Sequence, residues 1–264
     1  MISWIKALQM KKRNTPKPSL IKLSTVKKLH KWLSLLVFIQ LLIWLGTGLF
    51  FNLMDHDKAR GNQNKKAITV KEVEHKRLLN LDFIMNKNSK PVTEVALIQR
   101  LGKPYYLLTH EKGLYSHFKS DYSLVDAYVG DEFIIDDDVA SKLAQASYKG
   151  IGEVSAVLKV KPPIKDMLKE RNIAWQVNFS DNLNTSVYID ASSGRLIGHS
   201  NDDKRFVDLF FMLHFMDYAF LGKGSVGGFN NGQIIFFALL TLLFCLTGLI
   251  WTLELLIKGR YKIR

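Results

Sequence analysis

The sequence predicts an α+β protein: two transmembrane helices flank an extracytoplasmic α+β domain, and an interfacial helix precedes the second span. Three features carry this expectation. Residues Leu33 to Met54 run 22 positions without a charge, and Ile234 to Leu253 run 20. At about 1.5 Å rise per residue, each run is long enough for the roughly 30 Å hydrocarbon core of a bilayer. Between them lies a long segment that alternates apolar and polar residues, broken by turn residues, with enough chain for one compact domain.

Taken in order, residues 1–29 form a basic arm. Its stretch "ISWIKALQMKK" reads either as a short amphipathic helix with Trp4 and Ile5 dipping into the inner leaflet, or as an irregular arm broken by Pro16 and Pro18. The first span covers 30–54, with a helix start near Ser24 or Thr25 as N-cap and Trp32 at the lipid boundary. Its strongest polar side chains, Gln40 and Asn52, mark no polar face on this reading. The domain covers 55–205, beginning with the polar exit "DHDKARGNQNKK". Within it, "ITVKEVEHKRLLNLD" reads as a helix, and Val92 to Ala127 as a meander of strands with turns at Gly102-Lys103 and Glu111-Lys112-Gly113. "DDDVASKLAQASYK" reads as a helix whose acids suit the positive end of its dipole. "IKDMLKERN" reads as a short helix, then "IAWQVNFSD" and "TSVYIDASSGRLIGHS" as strands with a tight turn at Ser193-Gly194. The interfacial helix covers 206–222, the second span 232–257 and the tail 258–264.

Charge supplies the orientation. Residues 1–31 hold nine Lys or Arg and no acid, the tail holds four, and residues 55–232 hold 24 basic against 23 acidic side chains. This is the positive-inside pattern, with both termini cytoplasmic and residues 55–232 outside a bacterial inner membrane. The net charge of +13 therefore points to anionic headgroups rather than nucleic acid, whose binding needs a basic folded face. No small-residue cleavage site follows the first span, so it reads as an uncleaved signal anchor. The one cysteine, Cys245, lies in the second span, which leaves the domain without a disulfide.

Several motifs together resemble a known family. A helix followed by "WQVNF…TSVYIDASSGRLIG" resembles the PepSY module, and "YSLVDA" at 122–127 resembles a degenerate first copy of it. "LHKWLSLLVFIQLLIWLGTGLFF", "LFFMLHFMDY" and "LLTLLFCLTGLIWT" are similar to the PepSY-associated transmembrane family over roughly residues 27–257. The resemblance implies a membrane-anchored PepSY domain at the cell envelope. It also implies a distant likeness to ferric-siderophore reductases, which have four spans and carry haem in the membrane.

Seven histidines are present. His75, His110, His117 and His199 show no metal-ligand spacing and read as ordinary surface or strand residues. His30 and His214 stand apart, each at a membrane boundary beside apolar helix, where an imidazole serves as an axial ligand for haem b. Asp217, three residues beyond His214, is placed to orient that ring, while Arg205 and Asp208 anchor the start of the segment. The alternative reading makes His214 and Asp217 plain boundary chemistry and His30 one more basic group among Lys27, Lys28 and Lys31. Helix 1 separates the two histidines too far for one chain to grip one haem unless 206–221 plunges inward, and two spans are too few to enclose a porphyrin, so the haem reading requires a homodimer or a partner subunit. Gly46, Gly48 and Thr247-Gly248 favour close packing between spans. No catalytic, phosphate-loop or dinucleotide motif is present.

Three functions follow: an accessory or binding module at the envelope, a haem b electron-transfer subunit linked to iron-siderophore uptake, and, by analogy with PepSY propeptides, restraint of a secreted peptidase.

Overall fold

The computed structural model describes residues 22–216 and 232–258. The chain is α+β, with two long apolar helices near its ends and a sheet-bearing middle. It divides into a helical unit, residues 1–46 with 229–264, and a middle unit, residues 47–228.

The helical unit pairs α1 (Leu23–Leu53), up to Gly46, with α6 (Gly232–Ile257). Both helices are long and apolar enough to cross a membrane. Along α1, Val26, His30, Leu33, Val37, Gln40 and Trp44 are buried or half-buried. Their spacing alternates between four and three residues, the seam of a left-handed helix pair. Trp44 meets Phe237 edge-on at 5.2 Å. The opposite face carries Leu35, Leu36, Phe38, Ile39, Leu42 and Leu45, all 52–70% exposed. Polar groups therefore do mark a face, contrary to expectation: Gln40 and His30 sit on the inward seam, where a second helix supplies partners that lipid would not. The helix also starts at Leu23, where the Lys22 carbonyl accepts from Thr25 and Val26 N–H, so neither Ser24 nor Thr25 is its cap.

The middle unit opens with α2 (His56–Ala59), capped by Asp55, whose carboxylate accepts from Asp57 and Lys58 N–H. The polar exit is not loose. Lys66 N–H donates to Ser147 O at 2.8 Å, Asn64 Nδ2 to Asp181 at 2.8 Å, and Gly61 turns at φ +68° against the His199 backbone. Next come α3 (Leu81–Lys87), β1 (Glu94–Arg100), β2 (Lys103–Glu111) and β3 (Asp121–Asp126). After α4 (Asp137–Ser147) follow β4 (Val154–Val160), β5 (Ala174–Phe179), β6 (Ser186–Asp190), β7 (Leu196–Ser200) and α5 (Asp202–His214). The strands form two antiparallel meanders, β1-β2-β3 and β4-β5-β6-β7.

Strand alternation sorts side chains into separate cores. Tyr105 and Leu124 of the first sheet pack with Leu143 and Ala144 of α4 and with Val177, Phe179, Val187 and Ile189 of the second sheet. Their neighbours Tyr106, Leu108 and Val125 point the other way, onto Ile84 of α3. Tyr188 and Ala174 face Ile164 on the far side of the second sheet. A one-residue slip in any of these strands would invert that assignment.

The two meanders repeat one unit: helix, three antiparallel strands, then an Asp-Ala-x-x-Gly turn. Asp126 Oδ1 accepts from Tyr128 and Val129 N–H, and Asp190 Oδ1 from Ser192 and Ser193 N–H. Gly130 and Gly194 N–H return to the carbonyls of Asp126 and Asp190, at φ +79° and +62°. Asp126 and Asp190 N–H donate in turn to Asp131 and Arg195 O. The left-handed glycine and the carboxylate acceptor are what such a tight reversal needs. The second copy alone runs on into a full strand, β7.

Two expected elements change and one strand is new. Residues 68–80 form no helix apart from a 3₁₀ turn at His75–Arg77, and of the expected helix only Leu81 and Asp82 are helical, as the start of α3. The Lys71 backbone is held in both directions by the Gln99 side chain and Leu79 N–H by Ala127 O, so the first sheet claims the segment before a helix forms. Residues 164–172 form two successive turns, Met167 N–H to Ile164 O and Glu170 N–H to Met167 O. Asp166 and Glu170 are drawn inward there to Arg205 and Arg195. Strand β4 was not anticipated, although "VSAVLKV" alternates.

Candidate functional sites

The two singled-out histidines are not brought together; each docks on a different threonine. In the helical unit, His30 lies on the inward seam of α1. Its Nδ1 is 3.0 Å from Thr247 Oγ1 and 3.3 Å from Phe244 O. Thr247 Oγ1 itself donates to Phe244 O at 2.8 Å. The hydroxyl proton is thereby committed, so Oγ1 accepts from Nδ1–H, and a neutral His30 ring keeps its lone pair on Nε2. The ring stacks on Phe244 at 4.6 Å and 9°, and meets Trp251 edge-on at 5.6 Å. Gly248 permits this approach, since a Cβ there would lie 3.0 Å from His30 Cε1. One turn away, Lys27 pairs with Glu254 at 3.7 Å and lies over the Trp251 ring.

In the middle unit, His214 closes α5, and its Nδ1 is 2.8 Å from Thr47 Oγ1, six residues before the end of α1. The surroundings are again aromatic. Phe51 meets the ring edge-on at 5.3 Å, Phe50 stacks on Phe210 at 4.0 Å and Phe51 on Phe211 at 4.5 Å. Phe206, Phe210 and His214 follow helical spacing, which is why one face of α5 can zip along Phe50 and Phe51. Both threonines are followed by Gly-Leu, so one tripeptide receives a histidine in each place.

The helix bearing His214 starts at Asp202, capped by Asn201, four residues before the expected start; its expected end near 222 and Asp217 lie outside the described residues. Arg205 lies on the far turn of α5 and serves a different cluster. Its Nε donates to Asp166 Oδ2 at 3.0 Å, Nη2 to Ser186 at 2.9 Å, and Nη1 to Asn184 O and Asp202. Tyr188 donates to the same Asp166 oxygen at 3.1 Å. Burial alone would raise the Asp166 carboxyl, but the bonds from Arg205, Ser200 and Tyr188 outweigh it and hold it below the usual range. Burial, reinforced by Asp166, drives the Tyr188 phenol well up. Asp208 pairs with Lys204 instead of anchoring the segment directly.

No protein-family model matches the chain, and no curated protein or solved structure matches it.

Sequence reasoning missed His199. It is 2% exposed on β7, with Nε2 3.0 Å from the buried Ser147 Oγ, and burial pushes its pKa down to about 4. Its inward position in the alternation of "LIGHS" was the available signal. Thr247 was noted only as a small packing residue and Thr47 not at all; their shared Thr-Gly-Leu context was the clue to a common role. Among the described residues, no group of three or more His, Cys, Asp or Glu is placed to hold a metal ion.

Proposed function

We propose that this chain is a PepSY-type protein of the bacterial inner membrane, held by α1 and α6 as spans, whose extracytoplasmic middle unit acts as an accessory binding module at the envelope. The supporting observation is the inverted polarity of the helical unit. His30, Gln40 and Thr247 face inward, while the outer surface of α1 is leucine, isoleucine and phenylalanine. Lipid favours that arrangement and water opposes it. The repeated helix–three-strand–Asp-turn unit agrees with the PepSY resemblance. On this reading α5 dips below the interface, because Thr47 lies six residues, about 9 Å of helix rise, short of Leu53.

Edge strands β1 and β4 offer unpaired backbone for strand addition by a peptide or protein, with Leu97 and Leu158 exposed along them. Protease added to spheroplasts should cut residues 67–205 and spare both tails; the reverse pattern rejects the reading. Photo-crosslinkers at Leu97 and Leu158 should then capture one discrete partner, and a blank at both edges counts against the binding role.

A second reading, a haem b electron-transfer subunit, draws on the two imidazoles. Each engages Nδ1 with a threonine, the kind of outer bond that orients a metal-ligating histidine, and at His30 that bond directs Nε2 as the iron-facing nitrogen. Haem would supply one-electron transfer. The donor set fits one axial ligand per site, so a homodimer or a partner subunit must bring the second. A reduced-minus-oxidised spectrum of the purified protein tests this. An α-band lost in both His30→Ala and His214→Ala supports it, and a featureless spectrum removes it.

A further inference from the structure

The loop from Lys161 to Ile173, between β4 and β5, separates its charges. Its two acids are buried: Asp166, 8% exposed, under Arg205, and Glu170, 2% exposed, under Arg195 at 2.8 Å. Its basic residues Lys161, Lys165, Lys169 and Arg171 are all exposed. Leu168 and Ile173 are exposed among them. A segment with four basic and two acidic residues in sequence thus presents an almost purely cationic surface studded with apolar side chains. Lys161 and Lys165 also rim a recess of about 460 Å³, whose other walls include Pro163, Gln176, Tyr188 and Arg205. Asp166 lies in that wall, but Arg205 and Tyr188 already engage it. Nearby acids on α5 are occupied as well: Asp202 by Arg205 and Asn184, Asp203 by Gln63, and Asp208 by Lys204.

The loop is tied to the first turn of α5 by Arg205 and by Lys204 Nζ, which donates to Asp166 O at 3.1 Å. The next residue, Phe206, packs edge-on against Phe50 near the end of α1. On the proposed membrane reading, on which this inference rests, Phe50 and Phe206 mark the hydrocarbon boundary. The cationic loop then stands at the depth of the phosphate groups of the leaflet facing the middle unit.

We propose that the 161–173 loop is a docking surface for anionic phospholipid headgroups. A lipid phosphate enters the recess beside Lys161 and Lys165, and Leu168 and Ile173 contact the acyl–headgroup boundary. Positive charge is ordinarily sparse on the outer face of a span; here it is concentrated at a loop fastened to the helix leading back into the bilayer. Such a contact would fix the tilt of the middle unit over the membrane and make its presentation depend on lipid composition.

The test uses the full chain reconstituted in nanodiscs of phosphatidylcholine alone or with one-third phosphatidylglycerol, footprinting lysines with an acetylating reagent and mass spectrometry. Acetylation of Lys161, Lys165 and Lys169 should fall at least about threefold in the anionic discs, consistent with the attraction of basic residues to an anionic surface. Lys76 and Lys142 serve as internal references and should not change. High salt should restore labelling, as for any screened surface contact. In a Lys161→Gln/Lys165→Gln double variant, protection at Lys169 should be lost while circular dichroism stays that of the parent. Equal labelling in both lipids overturns the proposal and leaves the membrane reading standing. Protection by inorganic phosphate in phosphatidylcholine discs, without anionic lipid, also overturns it, since the recess would then be a soluble-anion site. Failure of the chain to incorporate into either disc rejects both.

Discussion

Acidification from pH 7 to pH 5 should loosen the second sheet through one side chain, His199. The ring is buried on β7 against Ser147, and burial, with a smaller contribution from Lys65, brings its pKa from an ordinary 6.5 to about 4. A depressed folded-state pKa means the unfolded chain takes up the proton first. The stabilisation is therefore complete above about pH 6.5 and is lost as pH falls towards 4. A gap of about 2.5 units corresponds to roughly 3.4 kcal/mol in all, of which about 2 kcal/mol disappears between pH 7 and pH 5. The Asp166 and Asp181 carboxyls lie below the usual range and keep their charge through this window. Hydrogen-exchange free energies of the most protected amides in β5 and β6, measured at both pH values on the full chain in detergent, read the effect directly. His199→Gln retains a hydrogen-bonding side chain for Ser147 and removes the titration, so its loss over the same interval should shrink to a few tenths of a kcal/mol. An equal loss in parent and variant would refute the argument, because the proton would then be binding elsewhere.

Three further outcomes follow from particular contacts. Asp190→Ala should cost about 3 kcal/mol and Asp126→Ala only about 1, since Asp190 is fully buried and Asp126 only half-buried; paired denaturation curves check the ratio. Leu101→Asn should stabilise by about 1 kcal/mol, because Leu101 and Gly102 form a hairpin turn with positive φ at both positions and leucine tolerates that region poorly; a raised melting temperature is the readout. Gly248→Ala forces a methyl against His30 Cε1 and should destabilise the paired helices by about 1–2 kcal/mol. Gly46→Ala, which meets nothing within 4 Å, should be neutral or better in the same detergent melts.

What could be read from the sequence divides along a physical line. The long helices were legible because apolar length is a one-dimensional signal, and an apolar helix does run over Gly232–Ile257. The meanders were legible because alternation and glycine turns are local; even the doubled Asp turn showed in "YSLVDA" and "SVYIDA". Errors arose where a distant partner overrides local preference. Residues 68–80 have helix-like spacing, but Gln99 binds the Lys71 backbone and Ala127 O takes the Leu79 N–H. Residues 164–172 have helix-forming composition, but Arg205 and Arg195 draw Asp166 and Glu170 inward. The histidines fall between these cases. His30 and His214 could be singled out by an ionisable group beside an apolar run, whereas their partners lie 217 and 167 residues away in sequence.

That separation explains why the pairing was invisible and also gives it meaning. A histidine followed closely by aromatic residues meets Thr-Gly-Leu twice, once in each unit, with the glycine admitting the ring or standing beside the contact. Threonine on an inward helix face can satisfy an imidazole without adding charge, and the aromatic neighbours shield the bond from competing water. A merely structural histidine needs only one such bond and tolerates glutamine or asparagine in its place. Substituting His30→Gln and His214→Asn separates the possibilities. If the helical hairpin and the α5 contact retain their melting temperature while the phenotype or spectrum of the parent is lost, the paired threonines serve to aim Nε2. If stability falls by the roughly 1 kcal/mol of a lost hydrogen bond and nothing else changes, they serve only to close the fold.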